Sequence, residues 1–151
     1  MAVRVAINGF GRIGRLVLRA ALESGRSDVE FVAINDLGST EDNAHLFKYD
    51  SVHGRYPNKV TVSDGAIDFG KGKVKILAER DPSKLPWKSL DVDMVFECTG
   101  RFTDKEHAKV HLDAGAKRVL VSAPSKGADL TVVYGVNHDK LSKEHLVVSN
   151  A

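Results

Sequence analysis

A short glycine-rich segment near the amino terminus constrains the fold of this chain more than any other feature. Residues 9–14 read Gly-Phe-Gly-Arg-Ile-Gly and match the pattern G-x-G-x-x-G. The pattern follows a β-rich run at residues 3–7 and opens an apolar-periodic segment at residues 12–23. A strand, a glycine turn and a helix in this order predict a phosphate-binding β-α-β unit, with the phosphate where the helix begins.

The rest of this unit is equally regular. Residues 29–34 form a nearly continuous apolar run, which is typical of a central parallel strand covered on both faces. Ser24 and Gly25 stand where the helix is expected to end. The apolar residues of the helix share the spacing i, i+3, i+4, i+7, i+8 and predict one buried stripe: Ile13, Leu16, Val17, Ala20 and Ala21.

Strand-like and helix-like segments continue to alternate along the chain, with one exception in the middle. Residues 39–49 predict a short helix, and three short strand-like runs follow at 60–62, 67–69 and 74–77. Their closely spaced glycine turns favour small antiparallel excursions. Residues 103–106 read Thr-Asp-Lys-Glu, a capping box that predicts a helix to about residue 114. Four further strand-like runs complete the pattern: 93–97, 118–122, 130–134 and 146–148.

The alternation predicts an α/β fold of the Rossmann type, a doubly wound and mostly parallel sheet with helices on both faces. No internal repeat, low-complexity tract or linker-like segment interrupts the 151 residues. This length suits a single domain. We therefore expect one dinucleotide-binding domain over residues 1–151.

Each glycine of the turn has a predicted role in binding a dinucleotide. Gly9 allows the tight turn, Gly11 lets a pyrophosphate approach the backbone, and Gly14 lets the helix pack closely on the strand. Asp36 follows the second strand, where a carboxylate accepts hydrogen bonds from the adenosine ribose. Because a carboxylate there repels a 2′-phosphate, NAD is favoured over NADP. A glycine turn without a ligand, an FAD site and an S-adenosylmethionine site remain alternatives.

A further cluster is expected at the same edge of the sheet. Thr99-Gly100 and Ser122-Ala123 each close a predicted strand. Ligands of open α/β sheets lie beyond the carboxyl ends of the strands, so these residues are candidates for the same pocket. The alternative is that both segments are ordinary strand-to-helix loops.

Composition and charge narrow the function classes. The net charge is only +2, which gives no reason to expect nucleic acid as the main partner, despite a pI near 8.7. One cysteine excludes an intramolecular disulfide and a CxxC-type zinc site. No apolar run approaches the roughly 18 residues that a membrane span needs. The amino terminus shows no secretory pattern, so we expect a cytoplasmic protein without membrane contact.

Other reactive residues have plainer interpretations. Cys98 is expected to be a half-buried residue of the strand rather than a reactive thiol. His107 and His111 lie at i, i+4 spacing, but they lack the HExxH pattern, so a solvated helix face is expected and no metal. Three alternating lysines predict a protected sheet edge rather than a nucleic-acid patch: Lys71, Lys73 and Lys75.

The chain as a whole resembles the phosphorylating glyceraldehyde-3-phosphate dehydrogenase family. The similarity runs in order along all 151 residues, and the motifs together are highly specific. The segments that carry it are residues 5–15, Ile34-Asn35-Asp36-Leu37, residues 48–54, residues 78–82, Cys98-Thr99-Gly100-Arg101-Phe102, residues 114–117, Ser122-Ala123-Pro124 and Gly135-Val136-Asn137.

This resemblance implies roles for individual residues in NAD binding. Asp36 would hold the adenosine ribose with Asn35 beside it, and Arg80 would meet the adenine edge through its backbone carbonyl. Ser122 would lie toward the nicotinamide. The pyrophosphate would be held by Gly9, Phe10, Gly11, Arg12 and Ile13, with Asn8 near it. The adenosine side would be lined by Thr99, Gly100 and Phe102.

The resemblance also implies what this sequence does not carry. In the family, the nucleophilic cysteine and the general-base histidine follow Ala151. We therefore expect no catalytic residue among 1–151, NAD binding without catalysis, and a tetrameric parent enzyme of glycolysis. The alternatives are the NAD-binding domain of erythrose-4-phosphate dehydrogenase and a non-catalytic interaction fragment. The triose enzyme is favoured because the erythrose enzymes tend to carry Glu at the position of Asp36 and to lack Ser122-Ala123-Pro124.

Overall fold

A computed structural model describes residues 1–151. Its helices are α1 (Arg12–Glu23), α2 (Thr40–Lys48), α3 (Lys105–Ala108) and α4 (Val110–Asp113). Its strands are β1 (Val3–Asn8), β2 (Val29–Asn35), β3 (Tyr49–Asp50), β4 (Gly54–Arg55), β5 (Thr61–Ser63), β6 (Ala66–Asp68), β7 (Lys73–Leu77), β8 (Met94–Glu97), β9 (Arg118–Val121), β10 (Leu130–Val132) and β11 (Val147–Asn150). Short 3-10 turns lie at Pro82–Lys84 and His138–Lys140.

Nine strands form one sheet in the order β10-β11-β9-β8-β1-β2-β7-β6-β5. All neighbours from β10 to β7 pair in parallel, and β6 pairs antiparallel with β7 and with β5. Strands β3 and β4 form a separate two-stranded antiparallel sheet. The strand order reverses between β1 and β8, which is the switch point where open α/β sheets bind ligands. The predicted doubly wound sheet with antiparallel excursions in its middle segment is confirmed.

Alternating side chains of the central strands bury both faces of the sheet. Ile7 packs with Leu18 of α1 and Phe47 of α2 on one face. Its chain neighbour Ala6 packs with Trp87 on the other face. Successive residues of a strand point to opposite faces, so a buried strand needs apolar residues at both positions. This requirement explains the nearly continuous apolar run in β2.

The buried side of α1 differs from the predicted stripe. Ile13 is 52% exposed, whereas Leu18 is fully buried. The helix turns Gly14 toward the sheet, and a Cβ there would collide with the carbonyl oxygen of Gly9. Close approach at Gly14 rotates Leu18 and Leu22, four and eight residues later, into the core. The spacing was typical of a helix, but it did not identify which apolar residues face inward.

The predicted helix over 103–114 is also corrected. Asp104, not Thr103, caps α3, and its side chain accepts a hydrogen bond from the backbone N–H of His107 at 2.8 Å. The helical segment is interrupted at Lys109, which separates α3 from α4. Asp and Thr are both good caps, so the capping box alone did not decide between adjacent residues.

The lysine-bearing strand is not a sheet edge. Strand β7 lies between β2 and β6, and the edge of this side of the sheet is β5. Lys73 and Lys75 are exposed on one side of β7, while Val74 between them is buried. The predicted edge role of Lys71, Lys73 and Lys75 is therefore wrong.

No helix in the structure combines the length and the apolar character needed to cross a bilayer.

Candidate functional site

A cavity of about 290 Å³ opens at the switch point, beyond the carboxyl ends of β1, β2 and β8. Eight of the residues predicted to bind a cofactor line it: Asn8, Gly9, Gly11, Asn35, Asp36, Arg80, Thr99 and Phe102. They come from segments up to 94 residues apart, since the lining runs from Asn8 to Phe102. The parallel sheet brings them to one edge, as its topology predicts.

The glycines shape one wall of this crevice. Gly9 has φ of +94°, and a Cβ there would lie 2.7 Å from the backbone nitrogen of Thr99. A Cβ on Gly11 would meet nothing within 4 Å, so this backbone borders open space. The first backbone N–H groups of α1, at Arg12 and Ile13, have no backbone acceptor. Bare backbone and free N–H groups at a helix start fit a diphosphate.

Asp36 connects the opposite wall to the glycine turn. Its Oδ1 accepts a hydrogen bond from the backbone N–H of Phe10 at 2.9 Å, and its Oδ2 accepts one from Gly38 at 3.0 Å. The side chain also lines the cavity. One carboxylate thus braces the turn and faces the space that a ribose would occupy.

Five predicted residues lie outside the lining. The Phe10 ring is buried against Phe47, with ring centroids 6.1 Å apart, so only its backbone belongs to the turn. Ile13 and Gly100 are exposed. Arg12 points outward to Asp50, with a nitrogen–oxygen distance of 3.3 Å.

Ser122 is the fifth of these residues. It donates from Oγ to the carbonyl oxygen of Glu97 at 3.2 Å and does not reach the cavity. The hydroxyl is thus engaged with the end of β8.

Asp50, the partner of Arg12, is the last residue of β3 and leads into the loop that connects β3 to β4. The pKa of Asp50 is lowered to about 2, first by hydrogen bonds from the backbone N–H groups of His53 and Val52, and less by the charge of Arg12. Its carboxylate therefore stays ionised and holds this loop near the start of α1. The hairpin formed by β3 and β4 was not predicted from the sequence.

A buried polar network lies beneath the crevice and was missed by the sequence analysis. Glu97 is 1% exposed, and its carboxylate accepts hydrogen bonds from Asn8 at 2.7 Å and from the backbone N–H of Thr99 at 3.0 Å. Asn8 in turn accepts a hydrogen bond from Asn35 at 2.8 Å. A charged residue inside the apolar run 93–97 was the available signal, because buried carboxylates require partners.

His111 belongs to this network, and its predicted solvated position is wrong. The imidazole is fully buried, with Trp87 donating to Nδ1 at 3.0 Å and Glu97 lying 2.5 Å from Nε2. His107 is exposed as predicted, and its Nδ1 lies 2.5 Å from Asp104. The break at Lys109 lets α4 place His111 over the sheet.

No group of three or more His, Cys, Asp or Glu is arranged to hold a metal ion.

Cys98 borders the cavity but is not an activated nucleophile. The pKa of its thiol is raised to about 11, mainly by burial, which outweighs a lowering hydrogen bond with Ser122 and is aided by the charge of Glu97. The thiol is therefore protonated near neutral pH, and nucleophilic cysteines react as thiolates. Cys98 is half-buried as expected, but it lies directly after β8 rather than within the strand.

Comparison with known families identifies the fold and its cofactor. The family model described as "Glyceraldehyde 3-phosphate dehydrogenase, NAD binding domain" matches residues 3–105, more than half of the chain. The chain belongs to the glyceraldehyde-3-phosphate dehydrogenase family. NAD is the cofactor of this domain, as predicted.

Curated glyceraldehyde-3-phosphate dehydrogenases match the chain over its full or nearly full length. The protein of Xanthobacter flavus is 67% identical over 151 residues, and that of Cereibacter sphaeroides is 65% identical over 151 residues. The protein of Thermotoga maritima is 55% identical over 148 residues. The chain spans about 45% of the length of these relatives. All three carry the triose-enzyme name, so the erythrose-4-phosphate alternative is not favoured.

Proposed function

We propose that residues 1–151 form one NAD-binding domain and that the crevice at the switch point holds the cofactor. The proposal rests on the contact between Asp36 and the glycine turn. The Asp36 carboxylate accepts a hydrogen bond from the backbone N–H of Phe10 and lines the same cavity as Gly11. A Cβ on Gly11 would enter that space, which fits a ligand in contact with the backbone.

Within this proposal each wall has a role. The pyrophosphate lies against residues 9–13, beside Asn8, where α1 begins. Asp36 holds the adenosine ribose with Asn35 beside it, and the backbone carbonyl of Arg80 meets the adenine. The remaining adenosine contacts come from Thr99, Gly100 and Phe102. The nicotinamide end lies toward Ser122.

We propose that the whole protein is an NAD-dependent dehydrogenase that oxidises and phosphorylates glyceraldehyde 3-phosphate in glycolysis, in the cytoplasm and as a homotetramer. The relatives' names support the activity. NAD, when bound, accepts the hydride of the reaction. Residues 1–151 bind and orient the cofactor and do not catalyse, because the protonated Cys98 is their only thiol. The nucleophile therefore belongs outside these residues.

Calorimetric titration of the chain with NAD, ADP-ribose and AMP tests the binding proposal. ADP-ribose should bind more tightly than AMP, because the glycine turn contacts the second phosphate. NAD should bind somewhat more tightly than ADP-ribose if Ser122 borders a nicotinamide subsite. Equal affinities for all three ligands contradict that subsite. No heat and no competition with any of them contradict the NAD-binding function of the chain.

A further inference from the structure

The carboxylate of Glu97 sits at the end of β8 and is saturated with hydrogen-bond donors. Asn8 Nδ2 and His111 Nε2 lie 2.7 and 2.5 Å from Oε2. The backbone nitrogen and the hydroxyl of Thr99 lie 3.0 and 2.5 Å from Oε1. A buried carboxylate is costly unless its hydrogen-bond partners are in place, so the position of Glu97 is coupled to the positions of these four donors.

The direction of the hydrogen bonds is set from one side by Trp87. An indole N–H only donates, so Nδ1 of His111, 3.0 Å away, must accept. A neutral imidazole that accepts at Nδ1 carries its proton on Nε2. His111 therefore donates from Nε2 to Glu97. Nδ1 cannot also carry a proton, because it already accepts the hydrogen of the indole N–H.

The direction is set from the other side by the backbone of Glu79. The N–H of Glu79 donates to Asn35 Oδ1 at 2.8 Å, and Asn35 Nδ2 donates to the carbonyl of Glu79 at 2.8 Å. Asn35 Nδ2 also donates to Asn8 Oδ1 at 2.8 Å. The oxygen of Asn8 thus faces Asn35, and its nitrogen faces Glu97. If the oxygen and nitrogen of either amide exchanged places, an N–H donor would face another N–H donor.

The third connection runs through Thr99. Its hydroxyl oxygen accepts a hydrogen bond from the backbone N–H of Arg101 at 3.1 Å, so its own hydrogen is free to point to Glu97. All four contacts of Glu97 are then donors to it, and both of its oxygens accept. The carboxylate is thus held from three directions.

We propose that Glu97 is the positioning residue of the NAD site, a role that rests on the proposed function of the crevice. Glu97 does not line the cavity and acts through Asn8 and Thr99, which do. The network joins the ends of β1, β2 and β8 and, through Glu79, the loop after β7. The Gly9 backbone approaches Thr99 so closely that the position of Thr99 sets the shape of the glycine turn.

The proposal requires a carboxylate and not merely a polar side chain. In Glu97→Gln the amide nitrogen faces either the Thr99 N–H or the donors Asn8 and His111. The Thr99 N–H cannot turn away. Reversing Asn8 to accept from the new amide opposes its nitrogen to Asn35, whose orientation is set by the backbone of Glu79. The mismatch therefore shifts the crevice walls.

Variants at His111 test the proposal at a residue that does not touch the crevice. His111→Leu removes the donor to Glu97 and should weaken NAD binding about tenfold, because Glu97 then holds Asn8 and Thr99 less firmly in the crevice wall. His111→Gln supplies an amide N–H at the same reach and should recover affinity to within about threefold of the wild type. The matched control is His107→Leu, which removes an exposed histidine paired with Asp104 and should leave affinity unchanged.

Nuclear magnetic resonance measures the position of the His111 proton and the Trp87 indole signal, and general destabilisation of the fold should change neither of them. At neutral pH the proton of His111 should reside on Nε2, and the indole N–H of Trp87, the only tryptophan, should shift when NAD is added. In Glu97→Gln the proton of His111 should stay on Nε2, because Trp87 still donates to Nδ1, while NAD binding should weaken about tenfold or more.

The outcomes separate the two proposals. A wild-type chain that binds no NAD overturns both the proposed function and the role of Glu97. A wild type that binds NAD, together with folded His111→Leu and Glu97→Gln chains of unchanged affinity, overturns the role of Glu97 alone. A proton on Nδ1 of His111, or an indole signal of Trp87 that NAD leaves in place, also overturns it and needs no variant to fold.

Discussion

At the scale of single residues, the Asp36 carboxylate braces the glycine turn and, in the proposed function, also holds the adenosine ribose. One oxygen secures the turn at Phe10 and the other accepts from Gly38, while the side chain faces the crevice. A ribose in the crevice therefore meets an acceptor whose position is already set. Preorganisation of this kind reduces the entropy that binding must overcome.

Asp36→Ala is expected to weaken NAD binding by about ten- to a hundredfold, since hydrogen bonds to a charged group contribute about 1.5–3 kcal/mol. Rejection of NADP should relax, because the charge that repels a 2′-phosphate is removed. Titrations with both cofactors measure the ratio of affinities, and the exposed Glu41→Ala on α2 is the control. An unchanged preference for NAD over NADP would contradict the role of Asp36.

Cys98 provides a prediction about pH. Its pKa of about 11 in the folded chain compares with an ordinary value of 9.0, so alkylation by iodoacetamide should be slow at pH 7 and increase steeply toward pH 11. Mass spectrometry follows the labelling, and the same chain in denaturant, which should label readily near pH 9, is the control. Rapid labelling of the folded chain at pH 7 would show an exposed or activated thiol.

The same shift has a consequence for stability. Between pH 9 and 11 the unfolded chain loses the thiol proton, while the folded chain keeps it. The unfolded state then binds fewer protons, so the contribution of Cys98 to the free energy of unfolding falls as pH rises through this range.

At the scale of elements, the glycines of the turn serve two different requirements, close packing of α1 on the sheet and space for a ligand. Gly14 is needed for packing, because a Cβ there would overlap the carbonyl of Gly9. Gly11 borders empty space and is needed only when a ligand is present. Strand, turn and helix thus depend on Gly9 and Gly14 for their geometry, whereas the proposed contact with the cofactor depends on Gly11.

This separation predicts opposite results for two similar substitutions. Gly14→Ala should lower the free energy of unfolding by about 1–3 kcal/mol, the usual cost of overpacking. Gly11→Ala should cost less than about 1 kcal/mol, as expected at a helix cap, yet weaken NAD binding strongly. Thermal melts and calorimetry measure the two effects. A Gly11→Ala chain with full NAD affinity would mean that the cofactor does not approach this backbone.

At the scale of the whole molecule, apolar surface is unevenly distributed. Tyr134 is 84% exposed and Val136 is 76% exposed, next to the edge strand β10. A separate groove near β8 and β9 is lined partly by Met94 and Leu120. Exposed apolar surface of this extent is a common feature of association sites.

The isolated chain is therefore expected to self-associate as its concentration rises. Sedimentation velocity over a wide concentration range measures this, and Tyr134→Ser with Val136→Ser should shift the chain toward monomer. NAD affinity should not change in that variant, because neither residue lines the crevice. A single monomeric species at every concentration would contradict the expectation and with it the interpretation of the chain as an interaction fragment.

The sequence by itself determined the glycine turn, Asp36 and the order of the strands and helices, apart from the short hairpin of β3 and β4 and the break between α3 and α4. These features are local, because helix and strand periods, capping residues and turn glycines are encoded over a few neighbouring positions. The resemblance to a known family added Arg80 and Phe102, which no local pattern would have placed beside Asp36. Both line the crevice.

Only the tertiary structure decided which face of α1 is buried, where β7 lies in the sheet and how the crevice is supported from beneath. Asn8 and Glu97 are 89 residues apart in the chain, and Trp87 and His111 are 24 apart. Their contacts depend on the pairing of β1 with β8 and on the packing of α4. A hydrogen bond between distant segments exists only once the strand order and register bring them together, so no local sequence pattern predicts it.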